Sequence, residues 1–257
     1  MQLTVTVITL NEASDIAGAL ESVEWADEVL VVDSGSTDGT VDLAQATGAR
    51  VIERQWPGYG AQRNFAADAA SHNWILSIDA DERVTPELAA EIRELMARGP
   101  DALGYRVSRV SRYLGRWIRT TDWFPDYQLR LYDRRAGRWN GVRVHESFQL
   151  SDGQPAQLRG ELQHHAYRDI SDHLKKIDAY TTLTAEQSHQ QGRRTHAVAI
   201  AAHPLAAFIR NFILRGGFRD GTTGLIISVL NSYYVFLKLA KLWERQHKSG
   251  DRGSGHR

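Results

Sequence analysis

Acidic, amide and hydroxyl side chains cluster where three predicted strands end. The clusters are Thr9-Leu10-Asn11-Glu12, Asp33-Ser34-Gly35-Ser36-Thr37-Asp38 and Asp79-Ala80-Asp81-Glu82. Because ligands of open α/β sheets bind outside the carboxyl ends of the strands, we expect all three at one edge of a sheet. Asp79 and Asp81 would repel each other there, and their oxygens suit a hard divalent cation that keeps positions open for diphosphate. The Asp33 cluster alone is equally typical of an ordinary turn.

The hydrophobic pattern around these clusters alternates between strands and helices. Short apolar runs are typical of strands buried in a parallel sheet, whereas apolar residues three or four positions apart are typical of helices. Thr85 before Pro86 is a typical helix start. The pattern predicts strands at 3–10, 28–32, 49–53 and 74–78, and helices from 16, at 41–47, at 61–70 and from 85. This alternation predicts an α/β fold with a doubly wound, mostly parallel sheet.

The second half of the chain has a different pattern. It predicts strands at 104–110, 127–132 and 142–148, an amphipathic helix at 170–191 and a helical region from 195 onward. The predicted organisation is therefore an α/β catalytic domain at 1–168 and a helical extension at 169–248. A Ser/Gly/Arg-rich tail at 249–257 is predicted to be disordered.

Composition excludes several classes of protein. With 42% hydrophobic and 24% charged residues, this 257-residue chain can bury a core and is neither wholly disordered nor fibrous. The absence of cysteine excludes disulfides, thiolate zinc sites and cysteine nucleophiles, and it is compatible with a reducing cytoplasm. The net charge of zero divides into −7 for residues 1–170 and +7 for residues 171–257. An acidic front suits a metal, and a basic back suits an anionic surface.

The basic C-terminal region has two interpretations. Its most apolar run, Gly224–Leu237, is interrupted by polar residues and is shorter than the about 18–20 apolar residues of a spanning helix. No transmembrane helix is therefore predicted, and the N-terminus lacks the basic start of a secretory signal. Aromatic and aliphatic residues beside Lys and Arg favour a helix lying in the headgroup region of an anionic membrane. A packed helical subdomain or a homo-oligomer interface is the alternative.

Three segments of the chain resemble the family 2 glycosyltransferases of GT-A fold in their order and spacing. They are Val7–Glu12, Val31–Thr40 and Leu76–Glu82. The segments 123–132, 137–146 and 164–170 resemble the lipopolysaccharide-core β-1,4-glucosyltransferase branch, so the resemblance covers about residues 3–245. It implies a GT-A domain with a C-terminal helical extension and a nucleotide-sugar donor, most simply a UDP-sugar.

The resemblance also implies roles for particular residues. Asp79-Ala80-Asp81 would be the DxD motif, with Asp79 and Asp81 holding Mg²⁺ or Mn²⁺ on the donor diphosphate. His164 would join them in the metal site, with simple packing as the alternative. The donor-binding residues that it implies are Thr9, Asn11, Glu12, Asp33, Ser36, Arg63, Asn64, Asp79 and Ala80. Independently, the helix start after Gly58 and Gly60 would suit a diphosphate.

An inverting transfer needs a carboxylate that takes the proton of the acceptor hydroxyl. Glu146, after His145, is the first candidate, and Asp126, in an aromatic loop, is the second. The alternative for either is a salt bridge to Arg130 or Arg143.

These expectations combine into one predicted function. The chain would move a glucose-like hexose from a nucleotide sugar to a lipopolysaccharide-core or related glycolipid, as a peripheral protein on the cytoplasmic face of a bacterial inner membrane. One alternative is a transferase acting on a polyprenyl-phosphate or protein acceptor, and another is a catalytically silent nucleotide-sugar-binding protein. Nucleic acid is disfavoured, because basic and aromatic residues do not alternate along the acidic half.

Overall fold

The structure is a computed structural model, and it describes residues 1–141 and 147–251, with side chains described as far as 248. Its chain divides into two units. The first contains Met1–Ser111 and Asp126–His165, and the second contains Arg112–Pro125 and Ala166–Arg257. The structure therefore divides the predicted domain 1–168 differently, because the segment 112–125 belongs with the C-terminal helices. The predicted disordered tail was 249–257, but residues 249–251 form the end of the last helix, so that part of the prediction was wrong, and residues 252–257 lie outside the described residues.

Strands and helices alternate through the first third of the chain, as predicted. The strands are β1 Leu3–Thr9, β2 Glu28–Asp33, β3 Arg50–Glu53, β4 Trp74–Asp79, β5 Glu82–Val84, β6 Gly104–Tyr113, β7 Arg116–Ile118, β8 Asp126–Asp133, β9 Gly137–Trp139, β10 Phe148–Leu150 and β11 Ala156–His164. The helices are α1 Ile16–Glu21, α2 Thr40–Ala46, α3 Tyr59–Ala69, α4 Pro86–Arg98, α5 Ile170–Gln190, α6 Ala197–Ile209 and α7 Gly221–Asp251. The start of α4 is as predicted, because the Thr85 hydroxyl accepts a hydrogen bond from the Leu88 N–H.

The main sheet has the strand order β3-β2-β1-β4-β8-β6-β11-β5, and β7 pairs with β6. Strands β1 to β4 are parallel, as the alternation predicted. The remainder is mixed, because β8 runs antiparallel to both β4 and β6. In this arrangement Asp126 lies opposite Arg109 in the middle of β6, and the start of β8 lies towards the carboxyl end of β4. Polar side chains from three strands therefore meet at the edge that carries the sequence clusters.

Both faces of the sheet are covered, so alternate residues of each strand enter different apolar clusters. On β4, Leu76 and Ile78 pack in the cluster that includes α1 and α4. The intervening Ile75 packs in the other cluster, with Ala66 and Ala67 of α3. All seven residues of β1 are buried, which explains its apolar and threonine-rich sequence. The core thus fixes β1, β2 and β4, whose ends carry the candidate site.

The second unit is built from α5, α6 and α7 together with the 112–125 segment. Its apolar core includes Tyr113, Ile118, Ile177 and Ile227. Two helical stretches, Ala197–Leu214 and Gly217–Lys248, are long and apolar enough to cross a membrane by length and composition alone. The prediction that no helix crosses a membrane therefore stays a prediction, although the length argument on which it rested does not hold for these two stretches. It considered only the unbroken apolar run, whereas helical continuity across polar residues extends both stretches.

Candidate active site

The loops after β1 and β2 are joined by side-chain hydrogen bonds. The buried Asp33 carboxylate accepts from the N–H groups of Gly35 and Ser36, each at 2.8 Å, and from the Ser36 hydroxyl. The Asn11 N–H donates to Ser36 Oγ at 2.8 Å, and Asn11 Oδ1 accepts from the Thr37 N–H at 2.8 Å. Asn11 has a φ of 57°, a conformation that asparagine tolerates better than most residues. Three predicted donor-binding residues, Asn11, Asp33 and Ser36, therefore lie together in one preformed loop pair.

The two remaining predicted residues of the first loop flank this network. The Glu12 N–H donates to the Thr40 hydroxyl at 2.9 Å, which ties the loop to the start of α2. Thr9 is buried at the end of β1. In the backbone register, Thr9 pairs with Asp33, so the two strand ends are level with each other. The structure brings together all five predicted residues of the two loops.

Asp79, the first carboxylate of the Asp-Ala-Asp segment, is held by two arginines. Arg63 Nη2 donates to one of its oxygens at 2.6 Å, and Arg130 Nη2 donates to the other at 2.9 Å. Both guanidinium groups are buried, each being only 3% exposed. Burial by itself would raise the pKa of Asp79, but the charges of Arg63 and Arg130 outweigh burial and hold that pKa well below its usual range. Both oxygens of Asp79 are therefore committed to protein partners.

The ion pairs continue from Arg130 to a second carboxylate. Glu82 is fully buried and accepts from Arg130 Nη2, from Arg109 Nη1 at 3.2 Å and from the Asp79 N–H at 2.9 Å. Arg109 Nε then donates to Asp126 Oδ2 at 2.8 Å. These residues form an alternating series of cations and anions that we call the arginine relay: Arg63, Asp79, Arg130, Glu82, Arg109 and Asp126. The relay carries no net charge, which reduces the cost of burying it.

Sequence reasoning missed Glu82 and Arg109 as parts of the site. Glu82 was seen only as the end of an acidic cluster, and Arg109 only as one charged residue within a predicted strand. Arg109 does lie opposite Asp126 in the register of β6 and β8. The sequence of β6 has an arginine at every third position, Arg106, Arg109 and Arg112, so it gave no signal that Arg109 in particular pairs inside the site.

Asp81 has a different neighbour from Asp79. Its Oδ2 lies 3.3 Å from His164 Nε2, and the two side chains are 23% and 15% exposed. His164 Nδ1 lies 3.2 Å from the Ser111 hydroxyl, so a hydrogen bond orients the ring. The backbone also fixes this pair, since the His165 N–H donates to the Asp81 carbonyl at 2.9 Å. The structure thus brings together the predicted metal residues Asp81 and His164.

The donor set of this pair fits Mg²⁺ or Mn²⁺. The Asp81 carboxylate oxygen suits either ion, and both ions take remaining ligands from substrate phosphates and water, whereas the softer imidazole nitrogen of His164 favours Mn²⁺ over Mg²⁺. Within residues 1–141 and 147–248, no group of three or more His, Asp or Glu side chains is arranged to hold a metal. Metal binding by the predicted set of Asp79, Asp81 and His164 therefore stays a prediction.

Two other residues that were predicted to bind the nucleotide sugar, Asn64 and Ala80, make contacts within the protein. The Asn64 carboxamide donates to the Trp139 carbonyl at 2.9 Å and accepts from the Trp139 N–H at 3.0 Å, which attaches α3 to β9. Ala80 is buried between the two aspartates. Near the start of α3, a side chain on Gly60 would lie 2.0 Å from the Asn140 carbonyl oxygen, so only glycine fits. Donor contact by Asn64 and Ala80 stays a prediction.

Of the two candidate bases, the structure describes Asp126 and does not describe Glu146. Asp126 lies at the start of β8, where one oxygen accepts from Arg109 and the other accepts from Gln128 Nε2 at 2.6 Å. The predicted alternative for Asp126 was a salt bridge to Arg130 or Arg143. The structure has a salt bridge at Asp126, but its partner is Arg109. Glu146 lies outside the described residues, as do His145 and Arg143.

Comparison with known proteins identifies the family. Glycosyl transferase family 2 matches residues 4–150. The chain is 32% identical to the lipopolysaccharide core biosynthesis glycosyltransferase LpsC of Rhizobium meliloti, over 95% of this chain and 93% of that protein. It is also 32% identical to an uncharacterized glycosyltransferase of Rickettsia typhi, over 95% of this chain and 87% of that protein.

Among solved structures, the chain is similar to glucosyl-3-phosphoglycerate synthase from Mycobacterium tuberculosis in complex with Mn²⁺, UDP and glucosyl-3-phosphoglycerate. The identity is 26%, the TM-score is 0.37, and the match covers 43% of this chain and 44% of that chain. The chain therefore matches less than half the length of that synthase. With the family match and the relatives of full length, the predicted resemblance and fold class are confirmed: the chain belongs to glycosyl transferase family 2 and is a glycosyltransferase of GT-A fold with a C-terminal helical extension.

Proposed function

We propose that the protein transfers a hexose from a UDP-sugar to a lipopolysaccharide-core or related glycolipid acceptor, with inversion and with help from Mg²⁺ or Mn²⁺. The observation that carries this proposal is the Asp81–His164 pair, at the sheet edge where the Asn11 and Asp33 loops are already joined. The acceptor class is supported by the full-length similarity to a lipopolysaccharide core glycosyltransferase.

The two loops after β1 and β2 would bind the nucleoside. The Asp33 carboxylate accepts hydrogen bonds from the N–H groups of its own turn. These bonds fix the position of Ser36, and Ser36 in turn accepts a hydrogen bond from Asn11. Preformed loops lose little conformational entropy on binding, which favours tight capture of the donor. In this proposal Asp33 shapes the loop, while exposed groups of the loops contact the base and ribose.

Asp81 and His164 would hold the metal ion, and Asp79 would position them. A bound divalent ion would neutralise the negative charge that develops on the leaving diphosphate. Asp79 is unsuited to that task, because Arg63 and Arg130 occupy both of its oxygens. Its role in the proposal is to anchor the short turn that carries Asp81 to the arginine relay.

Glu146 is the proposed base, and Asp126 is the second candidate. Both oxygens of Asp126 already accept hydrogen bonds, one from Arg109 and the other from Gln128, so an acceptor hydroxyl would have to compete with these donors to reach it. Once deprotonated, the acceptor oxygen attacks the anomeric carbon from the face opposite the diphosphate, and the bond to the diphosphate breaks.

Donor turnover with and without metal tests the proposal. The wild-type protein should hydrolyse or transfer the sugar of UDP-glucose with Mn²⁺ and lose that activity in EDTA. Asp81→Asn should abolish turnover, whereas Asp42→Asn, an exposed aspartate on α2, should leave it unchanged. Full activity of the wild type in EDTA would refute the assignment of a metal to Asp81 and His164.

The second unit supports attachment to an anionic membrane. It contains 17 Lys and Arg against 8 Asp and Glu, a net charge of +9, which exceeds the +7 of residues 171–257. Near the junction of α6 and α7, Leu214 and Phe218 are 76% and 53% exposed, and Arg215 and Arg219 are their neighbours in the chain. Exposed apolar side chains between cations are suited to a headgroup region.

Peripheral attachment is proposed over membrane crossing because of Arg210. It pairs with Asp122 within the second unit, and it lies inside the stretch Ala197–Leu214 that is long enough to cross. Arg210 is the fourteenth of the 18 residues of that stretch, so crossing would take it and Asp122 towards the apolar layer, at a cost bounded by the about 2.5–3.5 kcal/mol of an arginine at the centre. A surface position avoids that cost and leaves the exposed apolar residues in contact with lipid.

Sedimentation with vesicles tests this attachment. The full chain should bind phosphatidylglycerol-containing vesicles more strongly than neutral ones and be partly released by salt, since exposed charges are screened. Leu214→Ser should weaken sedimentation, and Leu103→Ser, an exposed leucine of the first unit, should not. A chain that ignores anionic vesicles would refute membrane attachment and would favour a packing or oligomer role for this surface.

A further inference from the structure

Two aromatic side chains are exposed at the edge of the sheet that carries the candidate site. Trp56 lies in the loop between β3 and α3, and Tyr59 is the first residue of α3. Their side chains are 40% and 43% exposed. The ring centroids are 4.7 Å apart and the planes are nearly perpendicular, so the edge of one ring meets the face of the other. The pair is thus ordered by its own contact while it leaves ring surface open to solvent.

Hydrogen bonds place this pair beside the loop after β2. The Arg54 N–H donates to the Asp33 carbonyl at 2.8 Å, and Gln62 Nε2 donates to Ser34 Oγ at 3.2 Å. These contacts lie on both sides of Trp56 and Tyr59 in the chain. In the parallel register of β2 and β3, Glu53 pairs with Asp33, so the strand ends are level. The aromatic pair therefore stands next to the loops proposed to bind the nucleoside.

The loops after β1, β2 and β4 contain no aromatic ring. Residues 10–15, 34–39 and 80–81 are small, acidic, amide, hydroxyl or aliphatic. A nucleobase gains affinity by stacking on an aromatic face, and it does so largely without regard to which base it is. The segment next to the loop after β2 supplies, in Trp56 and Tyr59, the ring that these three loops lack.

We infer that the Trp56 ring is the stacking surface for the base of the donor nucleotide and that Tyr59 braces it. The inference rests on the proposed function, since it requires a nucleoside diphosphate at this edge. Trp56 would supply affinity for the base, while the Asp81–His164 end of the site would contact the diphosphate. It follows that loss of the ring should weaken the binding of UDP, ADP and GDP by similar factors.

Calorimetric titration of UDP with Mn²⁺ tests the inference. Trp56→Ala should weaken UDP binding by about 5- to 150-fold, the range for loss of one base–aromatic stack. Trp56→Phe should restore most of the affinity, because a phenyl face also stacks. Binding of inorganic pyrophosphate with Mn²⁺ should be the same in all variants, since it has no base. Trp243→Ala, which removes a tryptophan of 42% exposure from α7, is the matched control and should bind UDP like the wild type.

The outcomes separate this inference from the function on which it rests. If the wild type binds UDP and Trp56→Ala binds it equally well, the stacking role is refuted while the proposed donor stands. If Trp56→Ala weakens UDP and pyrophosphate by the same factor, Trp56 acts by holding the loop, and the inference is again refuted. If the wild type binds no nucleoside diphosphate, the proposed function is overturned and this inference with it.

Discussion

The two aspartates of the Asp-Ala-Asp segment should respond to mutation in opposite ways. Asp79→Asn removes a carboxylate that pairs with two arginines, each only 3% exposed, whereas Asp81→Asn removes one that faces His164 at the surface of the site. Breaking a buried ion pair costs about 3–5 kcal/mol. We take about 3 kcal/mol for Asp79→Asn, because Arg130 keeps Glu82 as a partner. Asp81 is about as exposed as Asp79, 23% against 25%, but breaking its pair with His164, which is 15% exposed, leaves no buried arginine behind, so we take about 0–1 kcal/mol for that loss.

These energies convert into separate changes in thermal stability. For a chain of this size, each kcal/mol changes Tm by about 2–4 °C, so Asp79→Asn should lower Tm by about 6–12 °C. Asp81→Asn should lower it by less than about 4 °C. Binding of Mn²⁺ in the presence of UDP, followed by the spectroscopic signal of free Mn²⁺, should show the reverse order. Asp81→Asn should lose the ion, and Asp79→Asn should retain it.

The stability effect of Asp79 should also depend on pH. The charges of Arg63 and Arg130 hold its pKa well below the usual value of 3.8, so the ionised carboxylate stabilises the fold. That contribution is fully present above about pH 4 and is lost as the pH falls further, because protons then bind the unfolded chain first. The difference in Tm between the wild type and Asp79→Asn should be constant from pH 7 to about 4.5 and narrow below that. If Asp79→Asn is as stable as the wild type and loses Mn²⁺, Asp79 is a metal ligand and the arginine relay is not structural.

Two further predictions concern the base and a buried histidine. Glu146→Gln should lower kcat steeply with little change in donor KM, since a lost base is felt mainly in the transition state. Asp126→Asn should not show that profile. Steady-state kinetics of both variants tests this prediction, and the reverse result would make Asp126 the base. Burial beside Tyr113 lowers the pKa of His173 to about 4, so its neutral form stabilises the second unit above about pH 6.5 and this contribution falls as the pH falls towards 4. Relative to His173→Phe, the wild type should therefore lose Tm across that interval, and parallel Tm profiles would contradict the assignment.

The sequence predicted the parallel half of the fold because hydrophobic periodicity is local. Strands β1 to β4 and the start of α4 were recognised within about one residue. Periodicity does not say which strand is a neighbour, so the insertion of β8 between β4 and β6 could not be predicted. The same limit explains why 112–125 was assigned to the catalytic domain. The short strand β5 and the longer β11 were missed, since their polar residues alternate with few apolar ones.

The residues of the candidate site that lie at the ends of predicted strands were predicted. The residues whose role depends on which strands pair with each other were missed. Asp79, Asp81 and the loops after β1 and β2 are strand ends, and such positions can be found from the pattern alone. Arg109 and Arg130 lie within β6 and β8, where a charge normally faces solvent. Only the register of these strands with β4 shows that Arg130 reaches both Asp79 and Glu82.

The expectation of a metal ion at Asp79 and Asp81 was based on the repulsion between their two carboxylates. Two aspartates separated by one alanine were expected to need a cation between them, but Asp79 is compensated by Arg63 and Arg130, and Asp81 lies against His164. The protein therefore stabilises both carboxylates through separate partners. The two carboxylates are about equally exposed, 25% for Asp79 and 23% for Asp81, but Asp79 pairs with two buried arginines whereas Asp81 faces an imidazole. A divalent ion placed between Asp81 Oδ2 and His164 Nε2 would replace their 3.3 Å contact, which favours reversible binding of the ion together with the diphosphate of each donor.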